Sequence, residues 1–279
     1  MATRVHVLLV AALILGSGSA HAQFRPAGPP PVPGEDFHLE IGAVLWTPAP
    51  ELVLSTDARA AIGSAGVDFV REFGITKTRF TEFRGVLKGG KHRLRVAKTP
   101  IAYASSAILE RPIAFAGRLL PAGTNATIDL TWDLWRVGYQ YDLVSRPRGS
   151  LGLVTEVKYN RIVADLRGTS GTVSASTLTD VKVPLPTLGF VLRVYPVRSV
   201  GLTADVTGIK MPGYIRNRLP DDLDVDGRFV DFDISATVSI SRFLGIQGGY
   251  RSVATNYLVN DDSGDLTLKG GYIGGMVRF

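Results

Sequence analysis

Val230-Asp-Phe-Asp-Ile-Ser-Ala-Thr-Val-Ser-Ile240 alternates without a break. Val230, Phe232, Ile234, Ala236, Val238 and Ile240 share one face, and Asp231, Asp233, Ser235, Thr237 and Ser239 share the other. Successive side chains of a β-strand point to opposite faces, so this run has one greasy and one wet surface. Leu151 to Tyr159 repeats the pattern, with Leu151, Leu153, Val157 and Tyr159 opposite Glu156 and Lys158. Val200 to Val206 does so again, with Thr203 and Asp205 on the polar side. Nearly everything from residue 37 to residue 279 keeps this period of two, which makes the chain all-β.

Short polar turns separate some runs: Gly89-Gly-Lys91, Arg146-Pro-Arg-Gly149, Pro196-Val-Arg-Ser199 and Ser241-Arg-Phe243. Longer connections fall near 48–77, 106–126, 212–227 and 258–264, with a brief one at 168–172. Alternating short and long connections are the pattern of a transmembrane antiparallel up-and-down β-barrel. The runs number ten: 37–47, 78–88, 92–105, 127–145, 151–167, 173–195, 200–211, 228–241, 244–257 and 265–279. Glu51 to Ser55 and Val67 to Arg71 could form an outer hairpin or two more strands, so the range is 8–12.

Alternation alone does not say which face is inside. The polar face carries Asp205, Asp231, Asp233, Glu156 and Lys158, which would cost several kcal/mol each if buried unpaired among hydrocarbon. That favours the membrane version, with the apolar face outward. Aromatic residues gather at strand ends, as interfacial belts do: Phe37, Tyr139, Tyr141, Tyr195, Phe243 and Phe279 at one end, Trp46, Tyr103, Trp132 and Tyr257 at the other. The chain closes on Asp265-Leu-Thr-Leu-Lys-Gly-Gly-Tyr-Ile-Gly-Gly-Met-Val-Arg-Phe279, an alternating Gly-rich run with Ile273 and Val277 in phase with the terminal Phe279. This run resembles the C-terminal strand of bacterial outer-membrane β-barrels, and residues 37–279 resemble small barrels of the OmpA or OmpW type. The resemblance implies that Phe279 marks the strand read by the barrel-assembly machinery and that this strand pairs with the first. It also implies partners in outer-membrane lipid and lipopolysaccharide, and a monomer with both termini in the periplasm.

Two strands change phase midway. In 127–145, Ile128, Leu130, Trp132 and Leu134 are in step, and then Trp135, Val137, Tyr139, Tyr141 and Leu143 take over. A β-bulge near Leu134-Trp135 would account for it. In 173–195 the switch falls at Pro184-Leu-Pro186, where the strand is expected to bend or to leave the membrane.

The first residues read as a secretory signal. Arg4 is followed by the apolar run Val7 to Leu15, and Ala20-His-Ala22 is a small-x-small cleavage site, which gives a signal peptide over 1–22. Residues 23–36 are a Pro-rich leader, and 37–279 form the barrel domain. Cleavage removes one positive charge, Arg4, and takes the formal net charge from +6 to +5. That excess is small, and the compartment argues against nucleic acid. With no Cys in the sequence, neither disulfides nor an acylated lipoprotein Cys are available.

The lumen face is expected to carry Arg136, Glu156, Lys158, Arg193, Asp205, Asp231, Asp233 and Arg251, together with Glu40, Arg93, Arg95 and Asp142. In so narrow a barrel, opposite charges would meet and pair as a plug, and the alternative is a selectivity lining for a pore. No catalytic residue is identified: His38 and His92 both fall near the periplasmic end, away from an outer-leaflet substrate. Asp222, Asp224, Asp226 and Asp233 have calcium-loop spacing, but the run leads straight into a strand, so it reads as an acidic outer loop and no metal or cofactor is assigned. The functional expectation is a non-enzymatic barrel with a structural or surface-interaction role. A narrow channel for small or hydrophobic solutes is the first alternative, and a lipid-modifying enzyme the second.

Overall fold

The computed structural model describes residues 35–55, 67–115, 118–170, 173–210, 225–259 and 262–279. The signal peptide, most of the Pro-rich leader, Asp222 and Asp224 lie outside the described residues. Ten antiparallel strands close a barrel, and one short strand lies beside it. In barrel order these are β1 (Leu39–Ser55), β3 (Phe80–Gly89), β4 (His92–Ile108), β7 (Asn125–Arg146), β8 (Gly149–Ser170), β9 (Val173–Val197), β10 (Val200–Lys210), β11 (Val225–Ser239), β12 (Leu244–Val259) and β13 (Asp262–Arg278). β13 pairs with β1 from Glu40↔Arg278 to Ser55↔Ser263, and the backbone of Phe279 exchanges hydrogen bonds with Leu39 at 2.8 and 3.0 Å. Both described chain ends and the short connections at 90–91, 147–148, 198–199 and 240–243, the first with Gly90 at φ +61°, lie at one end of the barrel, the terminal end.

Connections at the far end differ from the sequence expectation. β1 continues through Glu51 to Ser55 instead of ending at 47, and β2 (Val67–Asp68) pairs with Val53 and Leu54. One helical turn follows, α1 (Phe69–Phe73), with the Asp68 carboxylate accepting from the Val70 and Arg71 N–H groups and Gly74 closing it at φ +62°. Among the described residues no extra pair of barrel strands forms there. β5 (Ile113–Phe115) and β6 (Arg118–Leu120) make a small hairpin between β4 and β7. Strand takes up the segment expected as a loop at 258–264, apart from residues 260–261, which are outside the description.

The strands are far longer than a membrane requires. A tilted span needs about 9–11 residues, whereas β7 and β8 have 22 each and β9 has 25. The surplus explains the phase change in β7. Its register against β8 runs unbroken from Asn125↔Thr169 to Asp142↔Gly152, with no bulge at Leu134-Trp135; the only shift lies between Asp142 and Val144. Every even-numbered residue from Ala126 to Asp142 points inward. What changes at Trp135 is the surroundings on both sides of the wall.

Below that level the outward residues are Trp135, Val137 and Tyr139, part of an exposed apolar belt with Phe83, Leu94, Phe190, Phe232, Ile246 and Ile273. Above it they are Asn125, Thr127, Asp129, Thr131 and Asp133, and the inward Ala126, Ile128, Leu130, Trp132 and Leu134 are buried. The terminal half is wet inside and greasy outside; the far half is the reverse.

The far half is also no longer a closed cylinder. β3 pairs with β1 only up to Trp46↔Phe80 and with β4 up to Phe83↔Lys98, and β10 pairs with β9 only from Val200 to Gly208↔Leu188. Beyond these short strands two sheets remain among the described residues, β4-β7-β8-β9 and β11-β12-β13-β1, and they face each other across one apolar core. Trp46, Leu52, Ile101, Tyr103, Ile128, Leu130, Trp132, Leu166, Phe229, Val253 and Leu268 form it, and Phe69, Phe73, Leu109 and Ile113 from the far-end connections close over it. Trp46, Tyr103 and Trp132, expected as an aromatic belt, are core residues, with Trp46 only 1% exposed. The belt at that level is Trp135, Tyr159 and Tyr250, with Lys98 Nζ 5.0 Å above the Trp135 ring. At the terminal end Tyr139, Phe243 and Phe279 face outward, whereas Phe37 is buried and Tyr195 turns inward.

Prolines follow the same geometry. Pro48, Pro50, Pro100, Pro184 and Pro186 all lie in strand segments with a paired neighbour on one side only: β13 for the first two, β7 for Pro100, β8 for the last two. A residue without an N–H costs nothing on an unpaired edge, which is why sheets tolerate proline there. β9 therefore passes Pro184-Leu-Pro186 as one continuous strand and leaves the apolar belt at that point.

Because the sequence has no Cys, single substitutions report the belt boundary cleanly. Asp129→Cys and Thr131→Cys in reconstituted protein should react with a water-soluble maleimide, and Val137→Cys should not. Equal labelling at 129 and 137 would show that the boundary is not at Trp135.

Candidate functional site

The lumen of the terminal half is built from the inward faces of all ten barrel strands. In β3 the run Phe80-Thr-Glu-Phe-Arg-Gly-Val-Leu87 places Phe83 and Leu87 outward, and so turns Glu82 and Arg84 inward. Glu82 sits at the centre of the barrel, 1% exposed, and receives three guanidinium groups. Arg84 Nε lies 2.5 Å away and Arg136 Nη2 2.7 Å away, Arg251 Nη1 is in direct contact, and the Thr99 hydroxyl donates at 2.5 Å. Asp231 makes a second centre with Lys158 Nζ at 2.6 Å and with Arg251 through Nε at 2.9 Å and Nη2 at 2.8 Å. Lys158 also meets Glu156 at 3.0 Å, and Arg84 meets Asp233 at 3.1 Å, while Tyr272 donates to the Asp233 carboxylate at 2.6 Å.

Four carboxylates (Glu82, Glu156, Asp231, Asp233) thus balance four cations (Arg84, Arg136, Lys158, Arg251) across the lumen. Balance matters because a charge buried without a partner is far more costly than a buried pair. Directly above, Arg251 lies over the Trp46 ring at 5.2 Å and Lys158 over Phe229 at 5.3 Å. These cation–π contacts join the polar tier to the apolar core. Trp132 Nε1 donates to Asn160 at 3.0 Å, and Trp46 Nε1 to the Gly270 carbonyl at 3.1 Å. A Cβ at Gly270 would sit 2.3 Å from the Thr47 oxygen, so only glycine permits this approach of β13 to β1.

Toward the terminal end the charges are looser. Arg95 meets Asp205 directly and Glu156 at 3.5 Å; Arg93 takes Asp142 at 3.1 Å, and Arg278 takes Glu40 at 2.6 Å. Arg193 donates to Gln140 at 3.2 Å and lies 4.0 Å from Asp142. Glu35, just before β1, reaches into the mouth and meets Lys88 at 2.9 Å, Arg93 at 2.5 Å and the Tyr195 hydroxyl. Burial pushes the Glu35 carboxyl upward, but Arg93, Arg193 and Lys88 outweigh it and hold the group well below the usual Glu range.

Five of the residues singled out in the sequence, Arg136, Glu156, Lys158, Asp231 and Arg251, come together in the central knot. Asp205, Asp233 and Arg193 line the same lumen through the contacts above. Glu82, the centre of the knot, was not picked out, although its alternation with Phe83 was available as a signal. His92 lies on the outside at the terminal end, its Nδ1 2.5 Å from the Tyr139 hydroxyl and its ring 5.2 Å from Tyr141. The His38 backbone N–H donates to the Phe279 carbonyl there at 2.7 Å, and its carbonyl accepts from the Lys88 N–H at 2.7 Å. Among the described residues no group of His, Asp and Glu has the geometry of a metal site, and Asp226 opens β11 as part of the strand.

Solved structures supply the comparison for this closed, belted barrel. The outer-membrane protease OmpT from Escherichia coli superposes with a TM-score of 0.53 at 9% identity, over 86% of this chain and 96% of that one. The fold is that of a small outer-membrane β-barrel. The translocator domain of the autotransporter NalP from Neisseria meningitidis also aligns, at 10% identity and a TM-score of 0.45, over 88% of this chain and 90% of that one. No protein-family model matches the sequence, and no curated protein does. Identity this low carries the fold and nothing of the activity.

Proposed function

We propose that this protein is a non-enzymatic, non-conducting outer-membrane barrel that projects its two-sheet far half from the membrane, with a structural or surface-interaction role. The observation that carries it is the double closure of the lumen: the charge knot around Glu82 and Asp231, and the apolar core stacked on it. Water and ions crossing the barrel would have to pass both. Sidedness follows the barrel rule that short turns face the periplasm. The termini and the end at which every connection is short then lie in the periplasm, and the core-filled half, with Asp129, Thr131, Asp133 and Arg167 outward, stands at the cell surface. Lys98, beside Trp135 at the upper belt, is placed to meet lipopolysaccharide phosphate. Phe279, 63% exposed on the belt side of the closing strand, is the feature the assembly machinery would read. The two mature-chain histidines, on the rim at the opposite end from the surface, support a non-enzymatic role.

The narrow-channel alternative has one observation behind it, a polar cavity in the terminal half; the packed core beyond that cavity speaks against it. Planar-bilayer recording of the refolded chain decides between them. Silence is the expected trace, and it should persist after Arg136→Ala and Glu156→Ala are combined, because the apolar core still closes the lumen. Steady conductance in the parent protein would overturn the closed-barrel assignment.

A further inference from the structure

Below the knot the lumen opens into a cavity of about 150 Å³ at the terminal end. That is well above the roughly 10–15 Å³ that one water needs by the same measure. Arg93, Arg95 and Arg193 converge on it, with Tyr195 at its rim. The carboxylates of the lumen do not fully occupy these guanidinium groups. Arg95 uses Nη2 on Asp205 and Glu156, but its Nη1 is buried with no hydrogen-bond partner among the described residues. Arg193 spends Nη2 on a neutral amide, Gln140, and its Nη1, 4.0 Å from Asp142, is likewise buried with no hydrogen-bond partner among the described residues. Buried donors of this kind cost free energy until an acceptor reaches them.

One acceptor does enter. Glu35 comes in from the segment before β1, takes Arg93 at 2.5 Å and Lys88 at 2.9 Å, and accepts from Tyr195. It sits on the chain outside the barrel wall, so its carboxylate occupies the mouth as a tethered ligand would. The planar fork of arginine suits a carboxylate or a phosphate equally well, since both present paired oxygens.

We propose that the mouth of the terminal-end lumen is an oxyanion-binding site, formed by Arg93, Arg95, Arg193 and Tyr195, in which the Glu35 carboxylate stands in for the carboxylate or phosphate group of a small solute. Glu35 then competes with the free anion, and its position leaves Arg193 Nη1 and Arg95 Nη1 for the incoming oxygens. Closure of the lumen above the cavity is no obstacle, because entry and exit share the terminal mouth.

Isothermal titration of the refolded full chain in detergent at constant chloride tests this, with inorganic phosphate in one arm and succinate in the other. Glu35→Gln should bind at least one of the two anions about tenfold more tightly than the parent, because the internal competitor has lost its charge. Adding Arg193→Gln to that variant should remove about tenfold or more, with Arg193→Lys intermediate, as loss of a forked donor predicts. Succinate binding alone would assign the site to carboxylates, and phosphate binding alone to phosphates. Absence of binding by Glu35→Gln to either anion overturns the site, as does an affinity that ignores both substitutions at Arg193. Asp165→Asn, on the outer surface, serves as the control and should titrate like the parent.

Discussion

Glu82→Ala should lower the unfolding free energy by about 3–5 kcal/mol, the cost of removing one partner from a buried ionic group. The substitution strands Arg84, Arg136 and Arg251, all of which contact this carboxylate. Asp231 still holds Arg251 and Asp233 still holds Arg84, so Arg136 is the most exposed to the loss; its nearest remaining carboxylate oxygen is on Asp231 at 3.7 Å. Urea titration of the protein folded in detergent, followed by tryptophan fluorescence, would measure it. A Glu82→Leu/Arg136→Met double variant should recover a good part of the loss, because the charges leave the lumen together. A Glu82→Ala effect below about 1 kcal/mol, the range of an exposed pair, would mean that water reaches the knot and that the lumen is not sealed there.

Trp46→Ala should cost a similar amount, about 3–5 kcal/mol, by a different route. The indole is 1% exposed at the base of the far-half core, donates to the Gly270 carbonyl at 3.1 Å, and stacks on Arg251 at 5.2 Å. Its removal leaves a cavity, an unpaired carbonyl and a guanidinium without its aromatic face. Trp135→Ala is the informative comparison. Trp135 is 41% exposed on the belt and contacts lipid or detergent, which can fill the space it vacates, so its loss should be well under half as costly. Were the two to cost the same, the far half would have no sealed interior.

Much of the barrel was legible in the sequence. Ten strands with the right order follow from period-two alternation and turn residues, because one face of each strand must meet lipid and the other must not. The lumen charges were legible for the same reason: Asp231 and Asp233 are in step with each other on the polar face of an alternating strand. Glu82 and Arg84 obey the same rule, but in a shorter and less regular run whose alternation is harder to read. The phase switch at Leu134-Trp135 is visible in the sequence, where a local cause, a bulge, is the natural expectation; the register shows none there. Its cause is environmental: the strand leaves lipid for water just where the interior turns from a charge knot to a core. Trp46 and Trp132 were assigned to a belt for the same reason, since a tryptophan near a strand end looks alike whether it faces lipid headgroups or a core.

By itself, then, the sequence determined the strand list, the alternating faces and the closing Phe279 strand, because these depend on side-chain period and on neighbours along the chain. Which face looks inward at each height was decided by the tertiary structure. The short β3 and β10 end at the upper edge of the belt, on opposite sides of the barrel, and split the wall into two sheets. Once split, the sheets can bury apolar residues against each other above the membrane, which a water-filled cylinder could not. The closure of the lumen is tertiary too. Glu82–Arg84 and Glu156–Lys158 are neighbours on one strand, but each carboxylate of the knot also meets a cation on another strand, up to 169 residues away, and no spacing along a single strand encodes that meeting.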